Sequence, residues 1–161
     1  MPDALAYLGI GSNLGDRAAF VRAAVDALGQ LQGTRVVALS AVIETDPVGP
    51  IEQGPYLNAV AGIETGLRPR TLLGELHRIE RAHGRDRAAE RRWGPRTLDL
   101  DILVYADLQL DEPGLTIPHP RLAQRLFVLR PLAEVAPELT VPGTGQTVSG
   151  LLATLEQGGS A

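Results

Sequence analysis

The stretch that most limits what this chain can become is Leu98 to Val104, where Leu-Asp-Leu-Asp-Ile-Leu-Val alternates apolar and charged residues before a β-branched finish. Such alternation belongs to a half-buried strand, because successive side chains of a strand point to opposite faces. Asp99 and Asp101 then share one face, and Leu100 and Ile102 turn the other way into a core. Aspartate is a poor strand former, and like charges side by side repel. A divalent cation offsets that cost, and two hard oxygen ligands with positions left for water and phosphate suit Mg²⁺. Just upstream, Gly94-Pro95 turns the chain between Arg92 and Arg96. Guanidinium groups hold phosphate oxygens through parallel hydrogen bonds and keep their charge. Carboxylates for a metal and arginines for phosphate in one short stretch point to a nucleotide–Mg²⁺ site. The competing reading is an ion-pair ladder in which the arginines only neutralise the aspartates.

The remaining elements tell what that strand packs with. Ala4 to Ile10 reads as a buried strand, followed by a turn in which Asp16 is placed to cap a helix. Phe20, Val21, Ala24, Val25, Leu28 and Leu31 keep helical spacing. Thr34 to Thr45 reads as a second strand, and Tyr56 to Glu64 as a third with Leu57, Ala59, Ala61 and Ile63 on one parity. A second helix starts at Pro69, carries Leu72, Leu73, Leu76 and Ile79 as its buried stripe, and ends at Gly84. The order β-α-β-β-α-β is that of an α+β, ferredoxin-like core: an antiparallel sheet with both helices on one face. C-terminal additions follow: a turn at Asp111 to Gly114, a rigid extended Ile117-Pro118-His119-Pro120, and short helices at Arg121 to Phe127, Leu132 to Val135 and Val148 to Leu155. No repeat or long linker interrupts this, so residues 1–161 are expected to form one domain.

Composition closes off several classes. The chain has no cysteine, which removes disulfides, thiol nucleophiles and thiolate metal sites. All 15 basic residues are arginine, which removes a lysine-dependent phosphate loop and Schiff-base chemistry. A net charge of −4 argues against broad nucleic-acid binding, although arginines crowd between Arg78 and Arg96. There is no apolar run of membrane-spanning length and no signal-peptide pattern at the N-terminus, so a cytoplasmic protein without membrane partners is expected.

An ordered series of motifs resembles one family. It runs Tyr7-Leu8-Gly9-Ile10-Gly11-Ser12-Asn13-Leu14-Gly15, Glu44-Thr45-Asp46-Pro47-Val48-Gly49-Pro50, Tyr56-Leu57-Asn58-Ala59, Arg92-Trp93-Gly94-Pro95-Arg96-Thr97-Leu98-Asp99-Leu100-Asp101-Ile102, and Ile117-Pro118-His119-Pro120 before Phe127. Together these resemble the 6-hydroxymethyl-7,8-dihydropterin pyrophosphokinases of folate biosynthesis. The resemblance implies transfer of diphosphate from ATP to a pterin alcohol, with two Mg²⁺ ions on Asp99 and Asp101. It implies Arg85 and Arg96 as catalytic arginines beside Asp101, and a pterin site of Thr45, Val48, Tyr56, Asn58 and Phe127. Nucleotide contacts are implied at Glu80, Arg87, Arg92, Ile102, His119 and Arg125, and the stretch from Gly84 to Arg92 as a lid. For the alcohol's proton, both metal activation and Asp101 stay open. A monomer with small-molecule substrates is expected.

Two other classes compete. A ligand-sensing or RNA-binding module shares this element order, but RNA-binding versions carry a Lys/Arg-Gly-Phe-type motif that this sequence lacks. A metal-dependent phosphohydrolase would direct water at the phosphate instead, and the hydrogen-bonding and stacking groups from Thr45 to Asn58 favour an organic acceptor.

Overall fold

The computed structural model describes residues 3–46, 53–85 and 97–158. Its centre is an antiparallel sheet of β1 (Ala4–Ser12), β2 (Thr34–Leu39), β3 (Ile43–Thr45), β4 (Tyr56–Thr65) and β5 (Asp99–Tyr105). The order is β2-β4-β1-β5, with β3 also paired to β4. The apolar strands β1 and β4 take the middle, and the aspartate strand pairs with β1. Helices α1 (Arg17–Gly29) and α2 (Pro69–Ala82) are the crossovers. Asp16 caps α1 by accepting from the Ala19 amide at 3.1 Å, and proline opens α2. Their stripes, Val21, Ala24 and Leu28 on one and Leu72, Leu76 and Ile79 on the other, bury Leu8, Ile10, Ile63, Leu100 and Ile102 of the sheet. This is the expected ferredoxin-like α+β core.

The expected single strand from Thr34 to Thr45 is two strands. At the break the Ser40 amide donates to the Val60 carbonyl, and the Ser40 hydroxyl accepts from the Val60 amide at 2.8 Å. The Ala41 amide turns outward to the Glu134 carboxylate at 3.0 Å. A side chain here replaces a ladder carbonyl, so pairing stops and restarts in a shifted register opposite Asn58.

The opposite face of the sheet is covered only in part, by α3 (Leu126–Val135) and α4 (Val148–Gln157). They pack on Tyr7, Val60, Leu103 and Val104. The expected helix from Arg121 to Phe127 is instead a short 3₁₀ turn at Leu122–Gln124, and α3 runs through Pro131. Proline forfeits one hydrogen bond there, to the Phe127 carbonyl, while Leu129, Pro131 and Leu132 are all buried. A hairpin of β6 (Leu110–Glu112) and β7 (Leu115–Ile117) turns at Gly114, whose φ is 76°. The small pair β8 (Thr140–Val141) and β9 (Gln146–Thr147) leads into α4.

One irregularity controls the site. In the β1–β5 ladder Leu8 faces Ile102 but Tyr7 faces Val104, so Leu103 is an extra, bulged residue. Before the bulge, Asp99 and Asp101 alternate cleanly with buried Leu100 and Ile102. After it, Leu103 and Val104 both join the α3–α4 cluster, while Tyr105 packs with the α1–α2 side.

Candidate active site

The uncovered part of the second sheet face is a cleft lined by Gly9, Gly11, Asn58, Asp99, Asp101, His119, Arg125 and Phe127. Its floor is flat for a sequence reason. In β1 the residues on either side of the core-facing Ile10 are Gly9 and Gly11, so this strand sends no side chain into the cleft, and Leu103 packs over Gly9 instead. A Cβ on Gly11 would lie 3.1 Å from Asn58 Oδ1 and 3.4 Å from the Tyr56 ring. Asn58 is nearly buried and donates its amide to Thr45 Oγ1 at 2.6 Å across the β3–β4 pair. That bond orients the carboxamide and turns Oδ1 toward Gly11. Asn13, just beyond β1, donates to Gln53 Oε1 at 2.7 Å and to the Gly54 carbonyl at 3.1 Å, holding the entry to β4.

Behind the aspartates lies a buried charged cluster. Helix α2 ends in a Schellman motif: the Gly84 amide donates to the Arg81 carbonyl and the Arg85 amide to the Glu80 carbonyl, both at 3.1 Å. Gly84 supplies the left-handed residue this requires, with φ of 87°. The residues brought together by this ending are usually apolar; here they are Glu80 and Arg85. Arg85 Nη1 donates to Glu80 Oε2 at 2.8 Å, to Asp99 Oδ1 at 2.9 Å and to the Leu98 carbonyl at 3.2 Å. Glu80 Oε2 also accepts from the Leu100 amide at 2.8 Å. The two side chains are 1% and 2% exposed, so removing Arg85 would take the guanidinium away from a buried Glu80 carboxylate, at a cost of about 3–5 kcal/mol.

The third component is the segment after β7. The His119 amide donates to the carbonyl of the bulged Leu103 at 2.9 Å, and His119 Nδ1 accepts from the Arg121 amide at 3.1 Å. A backbone donor at Nδ1 selects the tautomer with hydrogen on Nε2. Burial, then the Arg125 guanidinium, lower the imidazole to about 4, outweighing the upward pull of Asp99. Neutral His119 therefore offers an N–H donor without a proton to lose. Arg125 lies 5.3 Å over the Phe127 ring, an arrangement that fixes both groups at the start of α3.

Two further depressions adjoin the cleft. One, lined by Leu73, Asp101, Ile102, Leu115, Thr116, His119 and Pro120, shares Asp101 and His119 with it. The other, a groove of Thr45, Asp46, Arg121, Arg125 and Phe127, shares Arg125 and Phe127. The structure thus gathers Asn58, Asp99, Asp101, His119, Arg125 and Phe127 around one cleft, with Thr45 and Tyr56 at its β3–β4 margin. Ile102 borders the second depression but is only 4% exposed and packs in the α1–α2 core. Glu80 and Arg85 stand beneath the cleft, and Glu80 meets Arg85 and a backbone amide instead of lining a pocket. Val48, Arg87, Arg92, Trp93 and Arg96, with the lid from Asp86 onward, lie outside the described residues. Missed in the sequence were the glycine floor, the Leu103 bulge and the inward turn of Glu80. A signal for the last existed: Leu72, Leu76 and Glu80 fall four apart, which puts the acid on the buried stripe.

Fold and site together define a ferredoxin-like domain whose sheet presents paired carboxylates, a tautomer-fixed histidine and arginine on one open face. The family described as 7,8-dihydro-6-hydroxymethylpterin-pyrophosphokinase (HPPK) matches residues 7–137. The chain is 47% identical over 154 residues to the 2-amino-4-hydroxy-6-hydroxymethyldihydropteridine pyrophosphokinase of Methylorubrum extorquens AM1, covering 96% of this chain and 95% of that protein. It is 46% identical to the protein of the same name from Pseudomonas aeruginosa PAO1, over 84% of this chain and 83% of the other. In structure it resembles wild-type HPPK-DHPS of Plasmodium falciparum, with a TM-score of 0.71 and 14% identity, over 94% of this chain and 44% of that one. This chain belongs to the 7,8-dihydro-6-hydroxymethylpterin-pyrophosphokinase family.

Proposed function

We propose that the protein transfers diphosphate from ATP to the hydroxymethyl group of 6-hydroxymethyl-7,8-dihydropterin, releasing AMP, as a step of folate synthesis. The observation that carries this reading is the sharing of Asp101 and His119 between two depressions. A two-substrate transfer needs its donor and acceptor pockets to meet at the reacting group. The side bounded by Leu73, Ile102 and Leu115 takes the nucleotide. The cleft with Asn58 and Phe127 takes the pterin, whose ring edge meets the Asn58 carboxamide and whose face lies against aromatic rings, with Thr45, Val48 and Tyr56 completing the wall.

Asp99 and Asp101 fit a pair of Mg²⁺ ions. Among the described residues no three or more His, Cys, Asp or Glu side chains gather as a cage. A site lending two carboxylates leaves positions for phosphate and water, which is the habit of Mg²⁺. Bound there, the ions would neutralise charge on the phosphates. The chain's own groups do the rest. His119 Nε2–H donates to a phosphate oxygen, Arg85 and Arg96 hold the transferred group, and Arg87, Arg92 and Arg125 add positive charge around it. The pterin alcohol oxygen bonds to the β-phosphorus as the bond from that phosphorus to the α-β bridging oxygen breaks, and AMP leaves. Asp101 is assigned to take the proton that the hydroxyl gives up as its bond to phosphorus forms. We read the working unit as a cytoplasmic monomer; among the described residues no helix is long and apolar enough to cross a membrane.

³¹P NMR of protein with ATP, Mg²⁺ and the reduced pterin tests the assignment. AMP and a pterin diphosphate should rise together. ADP, or free phosphate without the pterin product, would replace this reading with ordinary kinase or hydrolase chemistry.

A further inference from the structure

We propose that Glu80 is the positioning residue of the active site, holding Arg85 and the peptide between the two aspartates as one rigid unit. This rests on the reading of Arg85 as a phosphate-binding group, given above. One oxygen, Glu80 Oε2, accepts from Arg85 Nη1 and from the Leu100 amide, both at 2.8 Å. Leu100 lies between Asp99 and Asp101, so this oxygen connects the arginine to the backbone that aims both carboxylates. The arrangement is locally determined. The Schellman ending of α2 brings the residue at its third-last position against the third residue beyond its last turn. The left-handed Gly84 and the Arg85 amide bond to the Glu80 carbonyl are that ending.

The reason for an acid at this place is competition for Asp99. Arg85 also donates to Asp99 Oδ1 at 2.9 Å, so arginine and cation make claims on the same carboxylate. A second carboxylate, 1% exposed and out of reach of the cleft, gives Arg85 a counter-charge that stays when Asp99 turns to metal. Arg85 is thereby held beneath the phosphates without having to cling to Asp99. Replacing Glu80 with a neutral acceptor of the same shape shifts the guanidinium toward Asp99, which misplaces Arg85 and weakens the carboxylate as a ligand.

The test is Glu80→Gln, which keeps an oxygen for the Leu100 amide and removes the charge. Expected in the variant is a fall in kcat of about 30-fold or more, with KM for ATP and for the pterin changed less than about threefold, the split of a lost transition-state contact. In an Arg85→Ala background the same change should cost less than about twofold, because Glu80 acts through that arginine. A readout independent of turnover is the Arg85 side-chain ¹H–¹⁵N signals of metal-free protein: slowly exchanging in the wild type, broadened or fast-exchanging in Glu80→Gln. Unchanged kcat per folded molecule, or full multiplicative loss in the Arg85→Ala background, would overturn the proposal. So would arginine signals identical in the two proteins. A wild-type enzyme that makes no AMP would instead remove the functional reading, and the NMR comparison would still decide whether Glu80 holds Arg85.

Discussion

Substituting Gly11 with alanine asks whether the flat floor of the cleft belongs to the pterin alone. Gly11 sits in regular β1 between Ile10 and Ser12, with no positive φ, so alanine meets no backbone strain there. The added methyl would stand 3.1 Å from Asn58 Oδ1 and 3.4 Å from Tyr56 Cδ1. The first is closer than ordinary packing and the second only reaches van der Waals contact, so the carboxamide must move by a few tenths of an ångström. It is not free to do so, because its amide is tied to Thr45 Oγ1 at 2.6 Å. Weakening that bond costs about 1 kcal/mol, roughly the net worth of a neutral hydrogen bond. Lower unfolded-state entropy from Gly→Ala returns about 0.4–1 kcal/mol, so folding stability should hardly change. With the pterin seated in this cleft as proposed, its binding should lose the aligned Asn58 edge, and about 1.4–3 kcal/mol of affinity corresponds to a 10- to 150-fold weaker complex. ATP binding, on the other side of Asp101, should be untouched. Calorimetric titration of each substrate, the pterin against protein holding a non-transferable ATP analogue, reads both. Unchanged pterin affinity, or equal losses for ATP and pterin, would refute the reasoning.

Asp101→Asn should abolish diphosphate transfer by ³¹P NMR and remove the Mg²⁺-dependent rise in Tm expected with ATP, while the metal-free protein melts at or slightly above the wild-type temperature because a like-charge pair is gone. Retained activity would withdraw the metal assignment. His119→Asn keeps an acceptor for the Arg121 amide but cannot titrate. With the folded imidazole at about 4 against an ordinary 6.5, the unfolded chain binds more protons between those values, so His119 destabilises the metal-free fold as pH falls through that window. The wild type should lose on the order of 2–3 kcal/mol relative to the variant between pH 7 and pH 4 in urea melts, and a constant difference would contradict the neutral histidine. The wild-type rate should accordingly show no histidine inflection near 6.5.

Much of this was legible in the chain because the relevant signals are local. The alternation from Leu98 put Asp99 and Asp101 on one face, and Asp16 and Pro69 marked the helix starts. The differences came where a tertiary partner overrides a local preference. Ser40 ends β2 because its hydroxyl substitutes in the ladder and Glu134, far along the chain, takes the next amide. Pro131 stays inside α3 because burial against the sheet outweighs one missing hydrogen bond. Glu80 reads as a nucleotide contact until Gly84 folds Arg85 back onto it. The Leu103 bulge had no local mark, since register belongs to the β1–β5 pair and not to either strand.

That bulge has a consequence for how the family's chemistry can be altered. One extra residue shifts the phase of β5 halfway along, so a single strand has two independently keyed ends. At the first end the odd positions face ligand; at the second, adjacent residues anchor α3 and α4. Insertions or substitutions in the C-terminal layer can therefore be absorbed beyond Leu103 without rotating the aspartates out of register. A deletion at Leu103, in contrast, would force a choice between keeping the carboxylates in the cleft and keeping Val104 beneath α3. Length at that one position is the parameter such a chain cannot trade away.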